Sequence, residues 1–203
     1  MTWRTAIPWS LVIFRLILGP TLLILALRLP TPGIWLGFLF VLGPVSDIFD
    51  GVLARRFGTA TSRLRISDTA VDTVFYIMVL AAVVELDWIA IRDRIVLIVA
   101  VIALETVRHV FDLAKFRRIA SYHTYSAKIW GLLLMLAVGA LLCFRRGAWL
   151  LTVALVWGIL SELEGLTFSI LLPQWVHDVK TLPRALAIRR ELEKKKTACI
   201  PAR

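Results

Sequence analysis

The sequence predicts an all-α membrane protein, a bundle of six transmembrane helices with both termini in the cytoplasm. Three observations predict it. The 203 residues are 59% hydrophobic, whereas a soluble domain of this size holds roughly 45–50% apolar residues. The apolar residues fall in long runs, and roughly 20 of them in a row cross a hydrocarbon core of about 30 Å. Lys and Arg are unevenly divided between alternate connecting segments, the pattern that sets membrane orientation.

The expected spans lie at about 10–29, 33–56, 68–86, 93–114, 126–144 and 149–172. Pro30, Pro32 and Gly33 separate the first pair, and Gly147 marks the turn between the last two. With the N-terminus in the cytoplasm, 16 of the 24 Lys and Arg fall inside, 5 outside and 3 within spans. Arg55, Arg56, Arg63 and Arg65 form one inner group; Lys115, Arg117 and Arg118 form another. The basic tail, about 180–203, ends near Lys194-Lys195-Lys196 and reads as a solvated segment able to touch anionic lipid. No cleavable signal peptide is expected, because Met1–Ser10 with Arg4 leads into a run long enough to stay in the membrane. Trp9, Trp88 and Trp149 lie near span ends and read as interfacial anchors. No repeat or low-complexity linker divides the chain, so 1–203 reads as a single domain. The formal charge of +10 points, in so apolar a chain, to anionic lipid and anionic substrates and away from nucleic acid. Cys143 and Cys199 have no metal or disulfide spacing and read as structural.

Four aspartates do not behave as loop charges. The uncharged stretch Gly33–Ser46 has 14 residues, and as a helix it covers roughly 21 Å, short of the core. The second span therefore carries Asp47 and Asp50 to membrane depth. The third span carries Asp72 within its apolar run and Asp68 at its start. Ionisable groups at such depth are costly and mark function by default; the alternative is salt-bridging to Arg55, Arg56, Arg63 and Arg65. Asp47, Asp50, Gly51 and Ala54 recur at i, i+3, i+4 and i+7 and share one helical face, as do Asp68 and Asp72 at i, i+4. Facing each other, the two pairs make an oxygen-only cage suited to Mg²⁺ or Mn²⁺. Two ions are expected, to neutralise four carboxylates and clamp a pyrophosphate.

The segment Asp47-Ile-Phe-Asp50-Gly51-Val-Leu-Ala54-Arg55, followed by Asp68 and Asp72, resembles the signature of the class I CDP-alcohol phosphotransferases, D-x2-D-G-x2-A-R-x8/9-G-x3-D-x3-D. One position departs: the later Gly of the pattern falls at Leu64. Upstream, Pro8, Leu11, Arg15 and Pro20 resemble the family's P-N-x-L-T-x2-R-x4-P, with Trp9 in place of Asn and Val12 in place of Thr. The resemblance implies an enzyme of phospholipid biosynthesis in the cell (inner or plasma) membrane, with its active site facing the cytoplasm. It would move a phosphatidyl group from a CDP-linked lipid such as CDP-diacylglycerol to a small hydroxyl acceptor, releasing CMP. It implies a homodimer. It further implies Asp47, Asp50 and Asp68 as metal ligands, and Asp72 as general base that also touches a metal. Gly51 and Ala54 would line the cytidine pocket, and Arg55 would face phosphate; a topology anchor is the rival role for Arg55.

Two further polar groups are candidates for acceptor binding. Glu105, Arg108, His109 and Asp112 share a face of the fourth span. Arg108 either reaches an anionic group or pairs silently with Glu105, and His109 reads as packed. Lys128, in the polar mouth Ser121–Lys128 of the fifth span, either binds an acceptor phosphate or snorkels to the interface. With Lys115 and Arg117 these cations favour a phosphorylated acceptor among glycerol 3-phosphate, inositol phosphate, inositol and serine. Arg15 sits too deep to snorkel and is expected to pair with an aspartate. A competing reading is an ion or metabolite transporter with a carboxylate cation site; the small residues in register with the aspartates, and a cluster off the midplane, speak against it. A prenyltransferase needs a longer chain with two separated Asp-rich loops.

Overall fold

The structure, a computed structural model, describes residues 3–29, 33–59, 61–118, 122, 124–176, 179 and 181–198. Among these residues there are eight helices and no strand: α1 (Trp3–Arg28), α2 (Ile34–Arg56), α3 (Ser62–Leu86), α4 (Trp88–Arg92), α5 (Ile95–Phe116), α6 (Tyr125–Phe144), α7 (Ala148–Leu171) and α8 (Leu182–Ala198). Five of them, α1, α2, α3, α6 and α7, are long and apolar enough to cross a membrane. The chain is thus an integral membrane protein. The fourth expected span coincides with α5, a helix of 22 residues. Any 18 consecutive residues of α5 include Glu105, Arg108 and Asp112, so composition alone does not place it among the spans.

Helix ends differ from the sequence expectation where polar residues continue a helix. α1 begins at Trp3 rather than about 10, since Pro8 near a helix start costs little. α3 begins at Ser62 rather than 68, carrying Arg63 in its polar first turn. The basic tail is not a loose solvated segment: residues 182–198 form α8, and Val179 and Ala185 are fully buried in a cluster with Tyr122, Phe168 and Leu172. The calls on Pro30, Pro32, Ser121, His123, Lys180, Cys199 and Arg203 lie outside the described residues.

The described residues cluster into two compact units. The first comprises 1–92 and 135–148. In it α1 packs against α2 and α3. The stripe Pro8, Val12, Arg15, Leu18, Leu22 and Ala26 is the buried face of α1, with the spacing of a helix face. Phe75 on α3, 1% exposed, holds the three helices together. A Cβ at Gly43 of α2 would overlap its ring, and one at Gly19 of α1 would sit 3.3 Å from its Cα. Small residues at such crossings let backbones approach, which supplies packing that apolar lipid cannot. Gly37 makes the same kind of room for Cys143.

The second unit comprises 93–134 and 149–203. Gly158 on α7 accommodates the Trp130 indole. Lys115 Nζ donates to the carbonyls of Ser169 (2.8 Å) and Ile170 (3.0 Å). Those carbonyls are among the last four of α7, which no helical N–H can satisfy, and a cation is favourable at that end of the dipole. Tyr122 shares a hydrogen bond of 3.0 Å with Ser169 Oγ, and burial pushes its hydroxyl above the usual value, keeping it neutral.

Candidate active site

The turn between α2 and α3 is built from helix-capping chemistry. Gly58, at φ 66°, occupies the left-handed position past the end of α2. Its N–H donates to Arg55 O (3.2 Å) and that of Thr59 to Ala54 O (2.9 Å), the pair of bonds of a Schellman ending. Three residues on, Thr61 Oγ1 accepts from the N–H of Leu64 at 3.2 Å and caps α3. The chain therefore reverses in a short turn, and the aspartate faces of α2 and α3 meet.

They meet around Arg15. This side chain is 1% exposed. Its Nη2 lies 2.5 Å from Asp50 Oδ2, and its Nη1 lies 3.4 Å from Asp47 Oδ1 and 3.1 Å from Asp68 Oδ1. Nη1 also bonds Asp72 Oδ1. Nε donates to Ser46 Oγ at 3.3 Å, and that hydroxyl donates to Gly43 O at 2.7 Å. The expectation that Arg15 pairs with an aspartate holds, and the pairing extends to all four. Asp50 is the deepest carboxylate at 5% exposed, against 44% for Asp47 and 26% for Asp68 and Asp72. The rival reading of these carboxylates as partners of Arg55 and Arg56 finds no support: both arginines are exposed, and the printed ion pairs of all four aspartates go to Arg15.

Beside the carboxylates a pocket of about 280 Å³ is lined by Asp50, Gly51, Ala54, Arg55, Thr61, Leu64 and Asp68. A Cβ at Gly51 would lie 3.8 Å from the Arg55 guanidinium, with nothing nearer. The missing side chain therefore leaves open space beside a cation. Leu64 and Ala54 are buried together with Val12, and Trp9 and Val71 pack on them.

The sequence model of the CDP-alcohol phosphatidyltransferases matches residues 5–160. The chain belongs to this family. Among curated proteins and among solved structures none matches it. Membership supports transfer of a phosphatidyl group from a CDP-alcohol to a hydroxyl acceptor, and the family is typically dependent on a divalent metal. In this CDP-alcohol phosphatidyltransferase the donor set fits such an ion. Carboxylate oxygens of Asp47, Asp50 and Asp68 lie within 4.8 Å of one another, an all-oxygen set of the kind hard divalent cations take. Asp72 is not in that trio; its printed contacts are to the Arg15 guanidinium.

The two acceptor candidates belong to the other unit. Arg108 does not pair with Glu105. Its Nε donates to Glu162 Oε2 at 2.7 Å, and Nη1 lies 3.8 Å from Asp112 Oδ2. Glu162 and Asp112 are both buried. Lys128 is exposed, its Nζ 5.7 Å from the centre of the Tyr125 ring. Sequence reasoning passed over Ser46 and Thr61. Ser46 is signalled by its i, i+4 register with Asp50, and Thr61 by its place three residues before Leu64 at a helix start.

Proposed function

We propose that the chain transfers a phosphatidyl group from a CDP-linked lipid such as CDP-diacylglycerol to a small alcohol, releasing CMP, in phospholipid biosynthesis. The observation that carries this reading is the convergence of Asp47, Asp50, Asp68 and Asp72 on one buried point beside a pocket lined by Gly51, Ala54 and Arg55. Asp47, Asp50 and Asp68 would hold Mg²⁺ or Mn²⁺, which supplies charge neutralisation for the donor's pyrophosphate. Gly51 leaves room for the nucleotide, and Arg55 faces its phosphates. Asp72, the carboxylate outside the trio, takes the acceptor's proton as the hydroxyl oxygen bonds to phosphorus and the CMP oxygen leaves. Arg108 and Lys128 are the candidates for an anionic group on the acceptor. The whole chain acts as one domain, since the family match runs through residues of both compact units. α5 crosses as the sixth span because Glu162 pairs with Arg108 and so offsets its charge. Both termini and the site then face the cytoplasm, as the excess of inner Lys and Arg requires, and a homodimer is the expected assembly.

Purified protein with Mn²⁺ and CDP-diacylglycerol is expected to release CMP when one of glycerol 3-phosphate, inositol phosphate, inositol or serine is supplied. Silence across that panel overturns the reading. Asp72→Asn should abolish turnover while weakening Mn²⁺ binding less than Asp50→Asn does. Equal losses of binding would remove Asp72 from the role of base.

A further inference from the structure

Three positions at which this chain departs from the family pattern come together in space. Trp9, Val12 and Leu64 stand where the pattern has Asn, Thr and Gly. In the structure Val12 (3% exposed) and Leu64 (7%) form one buried cluster with Ala54, and Trp9 packs against it. Two members of that cluster, Leu64 and Ala54, are also walls of the pocket beside the aspartates. Two potential hydrogen-bonding side chains and an open space have thus become a continuous apolar surface.

The remaining polar groups of the pocket lie at its carboxylate end or at its rim. Asp50 and Asp68 are bonded to Arg15, and Arg55 carries only donors. Thr61 is the one uncharged hydrogen-bonding side chain among the described lining residues. Cytosine and uracil differ at ring position 4, where one has an amino donor and the other a carbonyl acceptor. A hydroxyl donates and accepts equally well, so Thr61 does not tell them apart. A site that hydrogen-bonds a defining group rejects an analogue by roughly 10⁴–10⁵, whereas an apolar wall discriminates by only about 10²-fold or less.

We propose that this pocket holds the pyrimidine of its donor by contact with the Leu64–Ala54 wall rather than by reading its hydrogen-bonding edge, and so accepts a UDP-linked lipid as well as a CDP-linked one. The inference rests on the phosphatidyl-transfer reading, and the test separates the two. CDP-diacylglycerol and UDP-diacylglycerol with identical acyl chains are compared as donors to the purified, Mn²⁺-loaded protein, with CMP and UMP as competing products. Values of kcat/KM within about 100-fold of each other, and inhibition constants for CMP and UMP within about tenfold, are expected from an apolar wall. A preference for the cytidine donor of 10⁴ or more overturns the inference and leaves the phosphatidyl-transfer reading intact. Turnover of neither donor overturns that reading itself. Leu64→Ala should weaken CMP and UMP alike, by roughly tenfold for a large apolar contact removed, with their ratio unchanged. Inhibition constants untouched by Leu64→Ala also overturn the inference. Val12→Thr, which keeps the side-chain volume, is the second variant: it should leave the ratio near its starting value, and a large gain in cytosine preference alone would show that the edge was already being read.

Discussion

Arg15 Nη2 lies 2.5 Å from Asp50 Oδ2, and the two side chains are 1% and 5% exposed. A guanidinium this deep is held because four carboxylates answer one positive charge. The same four also make it replaceable, since one cation leaves them far from neutral. A divalent ion entering among Asp47, Asp50 and Asp68 competes with Arg15 for the same oxygens. Arg15→Gln is therefore expected to bind Mn²⁺ at least about tenfold more tightly, a gain of about 1.4 kcal/mol, in a paramagnetic titration of the purified protein. Weaker binding in the variant would mean that Arg15 organises the carboxylates and does not compete for them.

The contact of Arg108 Nε with Glu162 Oε2 at 2.7 Å joins α5 to α7. Removing one partner of a buried pair leaves an uncompensated charge, at a cost of about 3–5 kcal/mol. Glu162→Ala should lower the melting temperature in detergent. Arg108→Met together with Glu162→Met should recover most of that loss, because an apolar pair of similar volume needs no counter-charge. If Glu162→Ala melts like the parent, the pair is not structural, and Arg108 is free for a ligand.

Phe75 needs the absence of a side chain at position 43, where a Cβ would overlap its ring. Gly43→Ala is expected to destabilise by about 1–3 kcal/mol through overpacking. Phe75→Leu should cost stability alone yet relieve Gly43→Ala when the two are combined, giving a favourable coupling in a double-mutant cycle. Additive effects would show that α2 shifts to make room.

The long apolar helices and the pairing of aspartates on two faces were legible in the sequence, because both depend on the 3.6-residue period. Arg15 was legible as a buried charge needing a partner. Its contact with all four aspartates was not, because it depends on the crossing of α1 with α2 and α3. The Glu105–Arg108 expectation failed for a related reason: periodicity sees neighbours on one helix, and the true partner, Glu162, lies 54 residues away. The tail misled through its composition. Its lysines announce solvent, but a few apolar residues, Ala185 among them, dock the first turns of α8. Leu64 was visible as a departure, and its union with Val12 and Trp9 was not, because they lie on different helices.

The partners of Arg15 are encoded 31 to 57 residues after it. During synthesis α1 reaches the bilayer before any of those carboxylates exists there. An arginine at the middle of a lone helix opposes insertion by about 2.5–3.5 kcal/mol. The order of translation thus makes α1 a guest that settles only when α2 and α3 arrive, so the three helices enter the membrane as one cooperative unit. The charge that organises the catalytic carboxylates is also a checkpoint on biogenesis: a chain lacking α3 leaves α1 without two of its four counter-charges.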